Sequence, residues 1–413
     1  MIKPLFRFSI LCLCLVGLVI GGVSAGPALA LTAEQSLVAE VWRIVNRAYV
    51  DETFNHQNWW FTRQRALDRP LRDREDTYRV IQEMLSGLND PYTRLLPPSQ
   101  YRSLQTSTSG ELTGVGLQIS KDEQPGWLRV IAPIEGSPAE DAGVQPQDLV
   151  LAIDGVATTE LTLDEAAARM RGKQGTTVTL DISHSDNDPP RQVSLTRDVI
   201  TLNPVVAALK TTTEGQRVGY LRLSQFNGNA VEKLAEAIDD LASRGAQGYL
   251  LDLRNNPGGL LQAGIEIARL WLPKGTIVYT VNRQGILDSF EAFGQAITAA
   301  PLVVLVNEGT ASASEILAGA LQDNGRATLV GSTTFGKGLI QSLFDLSDGS
   351  GLAVTVAKYE TPAHHDINKL GIQPDRLVAT VPLTRDTVAT DADPQYQAAL
   401  DLLSQATVVA SAS

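Results

Sequence analysis

The sequence predicts an α/β core, with a β-rich domain inserted ahead of it and a helical region in front of both. Three observations lead there. Buried-strand patterns alternate with amphipathic helices over 200–385, short β runs punctuated by glycine fill 106–199, and apolar residues recur at helical spacing through 31–90. At 413 residues the chain is long enough for two or three domains and a sizeable core. Its hydrophobic content of 43% and charged content of 19% are those of an ordinary globular protein. A formal net charge of −12 argues against nucleic acid and anionic membrane surfaces as partners.

Residues 1–30 read as a processing segment. Lys3 and Arg7 give a positive start, Phe8 to Ile20 is apolar, and Ala28-Leu29-Ala30 fits a cleavage site, placing the cut after Ala30. The expectation is an exported protein. Both cysteines, Cys12 and Cys14, fall in that segment, so the mature chain has no thiol for nucleophilic, metal-binding or redox chemistry. The four histidines, His56, His184, His364 and His365, form no HExxH or HxH pattern. No metal or other cofactor is expected, and nothing commends these histidines for a Ser-His-Asp triad.

The region 31–105 is expected to be helical. Val38, Val41, Trp42, Val45 and Tyr49 mark one helix face, and Tyr78, Ile81, Met84 and Leu85 another. Trp59, Trp60 and Phe61 between them are assigned to the core. The turn-rich stretch Gly87–Pro98, with its NDPYTR segment, closes the region.

Over 106–199 the runs Gly116–Ser120, Leu128–Ile131, Leu149–Ile153, Thr177–Ile182 and Gln192–Thr196 read as strands. A helix fits Leu163–Met170, with Thr162 and Glu165 spaced as a capping box. Gly114-Val115-Gly116-Leu117-Gln118-Ile119 is a glycine turn entering a strand. Its backbone N–H groups can hold a peptide's terminal carboxylate while the strand edge pairs with the peptide. With EGSPAEDAGVQPQDLVLAIDGV, this stretch resembles a PDZ domain over its whole length.

In 200–385, strands at Val218–Leu223, Tyr249–Leu253, Leu302–Val306, Ala327–Val330 and Leu352–Lys358 alternate with helices. Val231, Leu234, Ala235, Ile238 and Leu241 mark one helix, and Leu260–Leu272 is a second. The third begins in GTASASEILAGAL. The tail, 386–413, carries one short helix near Tyr396–Leu403.

The chemistry gathers at two strand-to-helix corners. Ser312 lies at the first turn of a helix behind a buried strand. Ala311 and Ala313 leave room for a substrate backbone, and the helix N-terminus favours developing negative charge. A serine nucleophile needs a base. Lys337, between Phe335 and Leu339 and flanked by Gly336 and Gly338, serves if burial keeps its amine neutral. Ser314, two residues on, points to another face. Glu315 shares the face of Ser312 and either orients substrate or lysine or pairs with the helix dipole. Gln341, four residues past Lys337, shares its face if the stretch is a strand, and could hold the amine. Asp323 is about three turns along and reads as structural. The turn Asn255-Asn256-Pro257-Gly258-Gly259 exposes backbone donors, so Gly258 and Ala313 are candidates for an oxyanion site. GSTTFGK, 331–337, matches a phosphate-binding loop. However, Gly338 stands where a magnesium-binding Ser or Thr is needed, and a strand follows instead of a helix.

TASASEILAGALQDNGRATLVG with TFGKGLIQS, the NDPYTRLLPP and LDLRNNPGG segments and the PDZ stretch together resemble the carboxyl-terminal processing peptidases, tail-specific proteases of the Ser-Lys type in family S41. The resemblance covers nearly the whole mature chain. It implies a ClpP/crotonase-like α/β peptidase core at 200–385, with an inserted PDZ domain at 106–199 and an N-terminal helical region at 31–105. Ser312 becomes the nucleophile and Lys337, twenty-five residues later, the base. Gln341 corresponds to the family's glutamine, and Gly258 with Ala313 to its oxyanion donors. The PDZ domain would capture a free C-terminus and gate the site, with Arg171 a candidate for that gating. LLQAGIEIARL, DGSGLAVTVAKYETPAHHDIN and GIQPD resemble the photosynthetic branch, which trims the photosystem II D1 precursor. That implies the D1 precursor as the protein partner and the thylakoid lumen or periplasm as the location. It leaves peripheral membrane association open and oligomeric state unspecified.

Overall fold

The structure, a computed structural model, describes residues 31–122, 126–184, 189–212, 214–382, 384 and 387–412. The processing segment expected at 1–30 lies outside them. The chain begins with helix α1 (Ala33–Ala48), opened by a Thr32–Gln35 capping box. Helices α2 (Trp59–Leu67) and α3 (Arg74–Ser86) follow. Leu37, Val38, Val41 and Val45 of α1 meet Val80, Ile81, Met84 and Leu85 of α3 in one apolar cluster. Assigning the whole aromatic triplet to this core is incorrect. Trp59 is buried, but Trp60 is 55% and Phe61 62% exposed. Consecutive helical residues diverge by about 100°, so one core-facing position turns its neighbours outward. Trp60 instead stands edge-on to Trp42 at 5.9 Å, with the Arg63 guanidinium 5.4 Å from each ring.

Strand β1 (Arg94–Leu96) and helix α4 (Pro98–Ser109) lead to β2 (Glu111–Gly114), so α4 runs across the 105/106 boundary expected from sequence. The inserted domain contains β3 (Leu117–Lys121), β4 (Leu128–Pro133), α5 (Pro138–Asp141), β5 (Leu149–Ile153), β6 (Val156–Ala157), α6 (Leu163–Met170), β7 (Thr177–Ser183) and β8 (Arg191–Thr196). The sheet order is β3-β4-β5-β7-β8, with β6 on β5. The Thr162–Glu165 capping box starts α6 where the spacing placed it. Strand β9 (Asp198–Thr201) pairs with β2, so the entry and exit of the domain form one two-stranded stem.

The core follows as β10 (Val205–Thr211), β11 (Arg217–Leu223), α7 (Ala230–Ser243), β12 (Gly248–Asp252), α8 (Leu261–Trp271), β13 (Lys274–Asn282), β14 (Gly285–Phe293), β15 (Leu302–Val306), α9 (Ala313–Asp323), β16 (Thr328–Gly331), β17 (Leu339–Asp345), β18 (Gly351–Glu360), β19 (Arg376–Leu377) and α10 (Pro394–Ala412). The main sheet runs β10-β11-β12-β15-β16-β19 and is parallel from β11 onward. Strands β12 and β15 are buried at every position, as continuous apolar runs in a two-sided sheet require. Leu251, Val304 and Val306 face the cluster that holds Leu234, Trp271 and Leu317 of α7, α8 and α9. Leu250, Val303 and Leu305 face Tyr396, Ala399 and Leu403 of α10, which is longer than the short helix expected there.

The hairpin β13–β14 has no counterpart in the sequence reading. It joins β18, β17 and β1 in a second sheet of order β1-β18-β13-β14, with β17 also on β18. Strand β1, from the N-terminal region, thereby becomes part of the core, with Arg94 opposite Ala353. Residues 339–345 are strand, which removes the helix that a phosphate-binding loop needs.

Candidate active site

Strands β12 and β15 are parallel neighbours, with Asp252 opposite Leu305, and the turns at their carboxyl ends carry the site. The two turns are stitched together. Asn255 N–H donates to Asn307 Oδ1 at 2.9 Å, Thr310 Oγ1 to the Leu253 carbonyl at 2.9 Å, and Ala311 N–H to the Asn256 carbonyl at 3.0 Å. Ser312 caps α9 with φ 59° and ψ −120°, a backbone region that side chains other than glycine avoid. Ser314 is fully buried and donates its hydroxyl to the Asn256 carbonyl at 3.0 Å, so it fastens the neighbouring turn.

Gly258 lies directly against this corner. With φ +95°, a Cβ added there would come within 2.8 Å of Ser312 Cβ and 2.9 Å of Ala313 N. Only glycine leaves that space open. The Gly258 N–H itself donates to Asn256 Oδ1 at 2.9 Å. Among the described residues the N–H groups of Ala313 and Gly259 donate to no protein acceptor. In this structure Asn256 Oδ1 thus engages the Gly258 N–H expected as a donor, and the unengaged N–H in this turn belongs to Gly259.

Glu315 joins this corner to the lysine loop. It is completely buried and accepts four bonds: Oε2 from Ser312 N–H and Lys337 N–H, both at 2.9 Å, and Oε1 from Gly336 N–H at 2.7 Å and Thr334 Oγ1 at 2.5 Å. Tyr359 makes a second bridge, with its hydroxyl against the Lys337 carbonyl at 2.7 Å and the Ser312 carbonyl at 3.1 Å. Burial, then the Glu315 charge, pushes the Tyr359 phenol well above its ordinary value, so it stays a donor.

The Lys337 amine is half-buried and lies 4.9 Å from the centre of the Tyr92 ring. Burial lowers its pKa most, and the Arg94 charge lowers it further. Glu315 and Asp90 pull the other way without restoring the ordinary value. Gln341 does not reach the amine. Its Nε2 points to Thr355 Oγ1 at 3.5 Å, because Lys337 precedes β17 and a bulge between Ile340 and Gln341 breaks the face-sharing that a regular strand would give. Asp323 is structural, accepting from Ala363 N–H at 2.9 Å. His364 stacks on Tyr279 at 4.3 Å and pairs with Glu360.

A helix-capped serine and a half-buried lysine, tied by one carboxylate, suit acyl transfer. Known proteins point the same way. The family model described as peptidase family S41 matches residues 217–378, and the PDZ domain model matches 129–183. A carboxyl-terminal-processing protease of Synechocystis is 62% identical over 383 residues, covering 93% of this chain and 90% of the relative. The chain belongs to the carboxyl-terminal-processing proteases of peptidase family S41. Carboxyl-terminal-processing peptidase 2 of Arabidopsis thaliana, a chloroplastic protein, is 46% identical over 84% of this chain and 70% of its own. A solved photosystem II D1 C-terminal processing protease matches 88% of this chain and 100% of its own, at 41% identity and a TM-score of 0.57.

In this carboxyl-terminal-processing protease the PDZ residues make one open edge. Strand β3, carrying Leu117, Gln118 and Ile119, is the last in its sheet, so among the described residues one side of its backbone has no neighbouring strand. Leu117 and Ile119 pack on the cluster that holds Ala166 and Met170 of α6. The carbonyls of Val115 and Gly116 are occupied, accepting from Ala139 and Ile134 N–H at 3.0 and 2.8 Å. Gly116 has φ +78°, and a Cβ there would strike Ser137 at 2.2 Å. Gly114 abuts the end of α6, where Arg171 is the C-cap.

Sequence reasoning missed the bracing of the glycine turn. Arg254, 6% exposed, bonds both oxygens of Asp252 at 2.9 and 2.7 Å and both oxygens of Asp393 at 2.9 and 2.8 Å. Tyr220 adds its hydroxyl to Asp252 at 2.9 Å. The signal available was local: Asp and Arg two apart at the end of an apolar strand share a face, and a buried charge needs a partner. The identity of the distant partner, Asp393, has no sequence signature.

Proposed function

We propose that this protease is an exported serine endopeptidase that captures a free protein C-terminus on Gly114–Ile119 and cuts nearby, removing the C-terminal extension of the photosystem II D1 precursor. Ser312 is the nucleophile and Lys337 the base. The observation that carries the reading is the single buried carboxylate, Glu315, bound to the backbones of Ser312 and Lys337. The D1 assignment rests on the similarity to a solved D1 processing protease.

The neutral Lys337 amine takes the proton of the Ser312 hydroxyl as Oγ bonds to the scissile carbonyl carbon. The oxyanion meets the Ala313 N–H and the free N–H of the Gly258-Gly259 turn, with Gly258 supplying the space. The proton passes to the leaving amine, the C–N bond breaks, and water then releases the acyl group. The incoming C-terminus adds along the open edge of β3, with its carboxylate at the Gly114–Leu117 turn.

The test is incubation of the chain from Leu31 with a D1 tail peptide, read by mass spectrometry. Cleavage is expected, with loss of turnover in Ser312→Ala and in Lys337→Ala, and weakened capture of a C-terminally amidated peptide. Cleavage of other tails but not this one would remove the D1 assignment and leave a general lumenal or periplasmic tail protease. Turnover surviving both substitutions would end the dyad reading.

A further inference from the structure

We infer that Tyr92 is a positioning residue for the base, its ring face holding and stabilising the ammonium that Lys337 becomes when it takes the serine's proton. The inference rests on the reading of Lys337 as base. The amine lies 4.9 Å from the ring centroid and, among the described residues, donates no hydrogen bond. The face of an aromatic ring, a group suited to a positive charge, is thus set against the amine.

The ring is placed deliberately. Asp90 accepts the Tyr92 N–H at 2.9 Å and the Thr93 hydroxyl at 2.7 Å. Thr93 in turn accepts Thr355 N–H at 3.0 Å, and the next residue, Arg94, starts the pairing of β1 with β18. The segment is therefore fixed to the strand beside β17, the strand that follows the lysine loop. The phenol stays neutral, because burial, then Asp90 and Glu315, raise its pKa.

The charged groups around the amine are Arg94 and Asp90 from the N-terminal segment and Glu315 from α9. Burial, and then the Arg94 charge, disfavour the protonated amine, whereas a ring face attracts the cation that forms. An interaction that strengthens as charge develops lowers the barrier and not merely the energy of the bound state. The N-terminal region, otherwise a helical flank, thus supplies part of the base site.

The experiment replaces Tyr92 with phenylalanine and with increasingly fluorinated phenylalanines introduced by codon suppression. These keep the ring's outline while draining the negative charge from its face. Tail-peptide kcat/KM and kcat are measured against pH, with Lys337→Ala alongside. Expected are an unshifted acid limb for Tyr92→Phe, and a limb that moves progressively to lower pH with fluorination, by about half a pH unit. The plateau kcat should fall about threefold. A limb that stays put or moves up would overturn the inference. An active Lys337→Ala would instead remove the base reading on which it stands. Tyr92→Leu, which keeps bulk without a ring, should move the limb the same way as the most fluorinated ring. A ring that served only as packing would lower the plateau and leave the limb in place.

Discussion

One oxygen of the Glu315 carboxylate accepts the backbone N–H of Ser312 and of Lys337, each at 2.9 Å. The distance between the corner that holds the serine and the loop that holds the lysine is set by this shared atom. Because the bonds run to the backbone, they hold neither side chain.

Glu315→Gln is expected to damage both stability and turnover. All four partners of the carboxylate are donors, and an amide has one acceptor oxygen and a donor nitrogen in place of the other. Depending on its orientation, the amide NH2 would then face either the Ser312 and Lys337 N–H groups or the Gly336 N–H and the Thr334 hydroxyl. The expected cost is about 2–4 kcal/mol, read as a lowered melting temperature and urea midpoint, with kcat reduced more than KM is raised.

Gly258→Ala is expected to fold and to be nearly inactive. The added carbon would sit 2.7 Å from the Ala311 carbonyl and 2.9 Å from Ala313 N, in the space that the proposed mechanism assigns to the oxyanion. A loss of roughly 100-fold or more in kcat on the tail peptide is expected. Wild-type activity in this variant would place the oxyanion site elsewhere.

Activity should rise with pH through the pKa of Lys337, since only the neutral amine accepts a proton. That pKa is lowered by burial first and by Arg94 next, so the rise should fall below the ordinary lysine range. Removing a cation relieves the repulsion. Arg94→Gln is therefore expected to move the acid limb of kcat/KM to higher pH and to leave less active enzyme at neutral pH.

The Arg254–Asp393 pair binds α10 to the strand end that leads into the glycine turn. Asp393→Ala leaves a buried guanidinium short of its partner and is expected to destabilise by about 3–5 kcal/mol in urea unfolding. Burial opposes the charge on Asp393, but the bonds from Arg254 outweigh it and hold the pKa below the usual carboxylate value. A depressed folded pKa gives stability that is present above the unfolded value near ~3.9 and lost as pH falls through the folded one. Wild-type melting temperature should therefore drop below about pH 4, and Asp393→Asn should flatten that drop.

The parts legible in the sequence are those whose signal is local. Ser312 and its small neighbours mark a helix start behind a buried strand, Gly258 marks a turn, and the Thr162–Glu165 pair marks a cap, each within a few residues. Tyr359 reaches Lys337 across 22 positions and Arg254 reaches Asp393 across 139, and nothing near them in sequence states those partners. Gln341 turns to Thr355 where a bulge resets the side-chain alternation, and composition does not reveal bulges. Trp60 and Phe61 are exposed, and hydrophobicity alone does not state which face of a helix a residue occupies.

The backbone of Ser312, at φ 59° and ψ −120°, has a thermodynamic corollary. A glycine would adopt it without strain, so Ser312→Gly is expected to be inert yet more resistant to heat, by about 1–2 kcal/mol. With Ser312 as the proposed nucleophile, selection for turnover would oppose selection for durability at this one position.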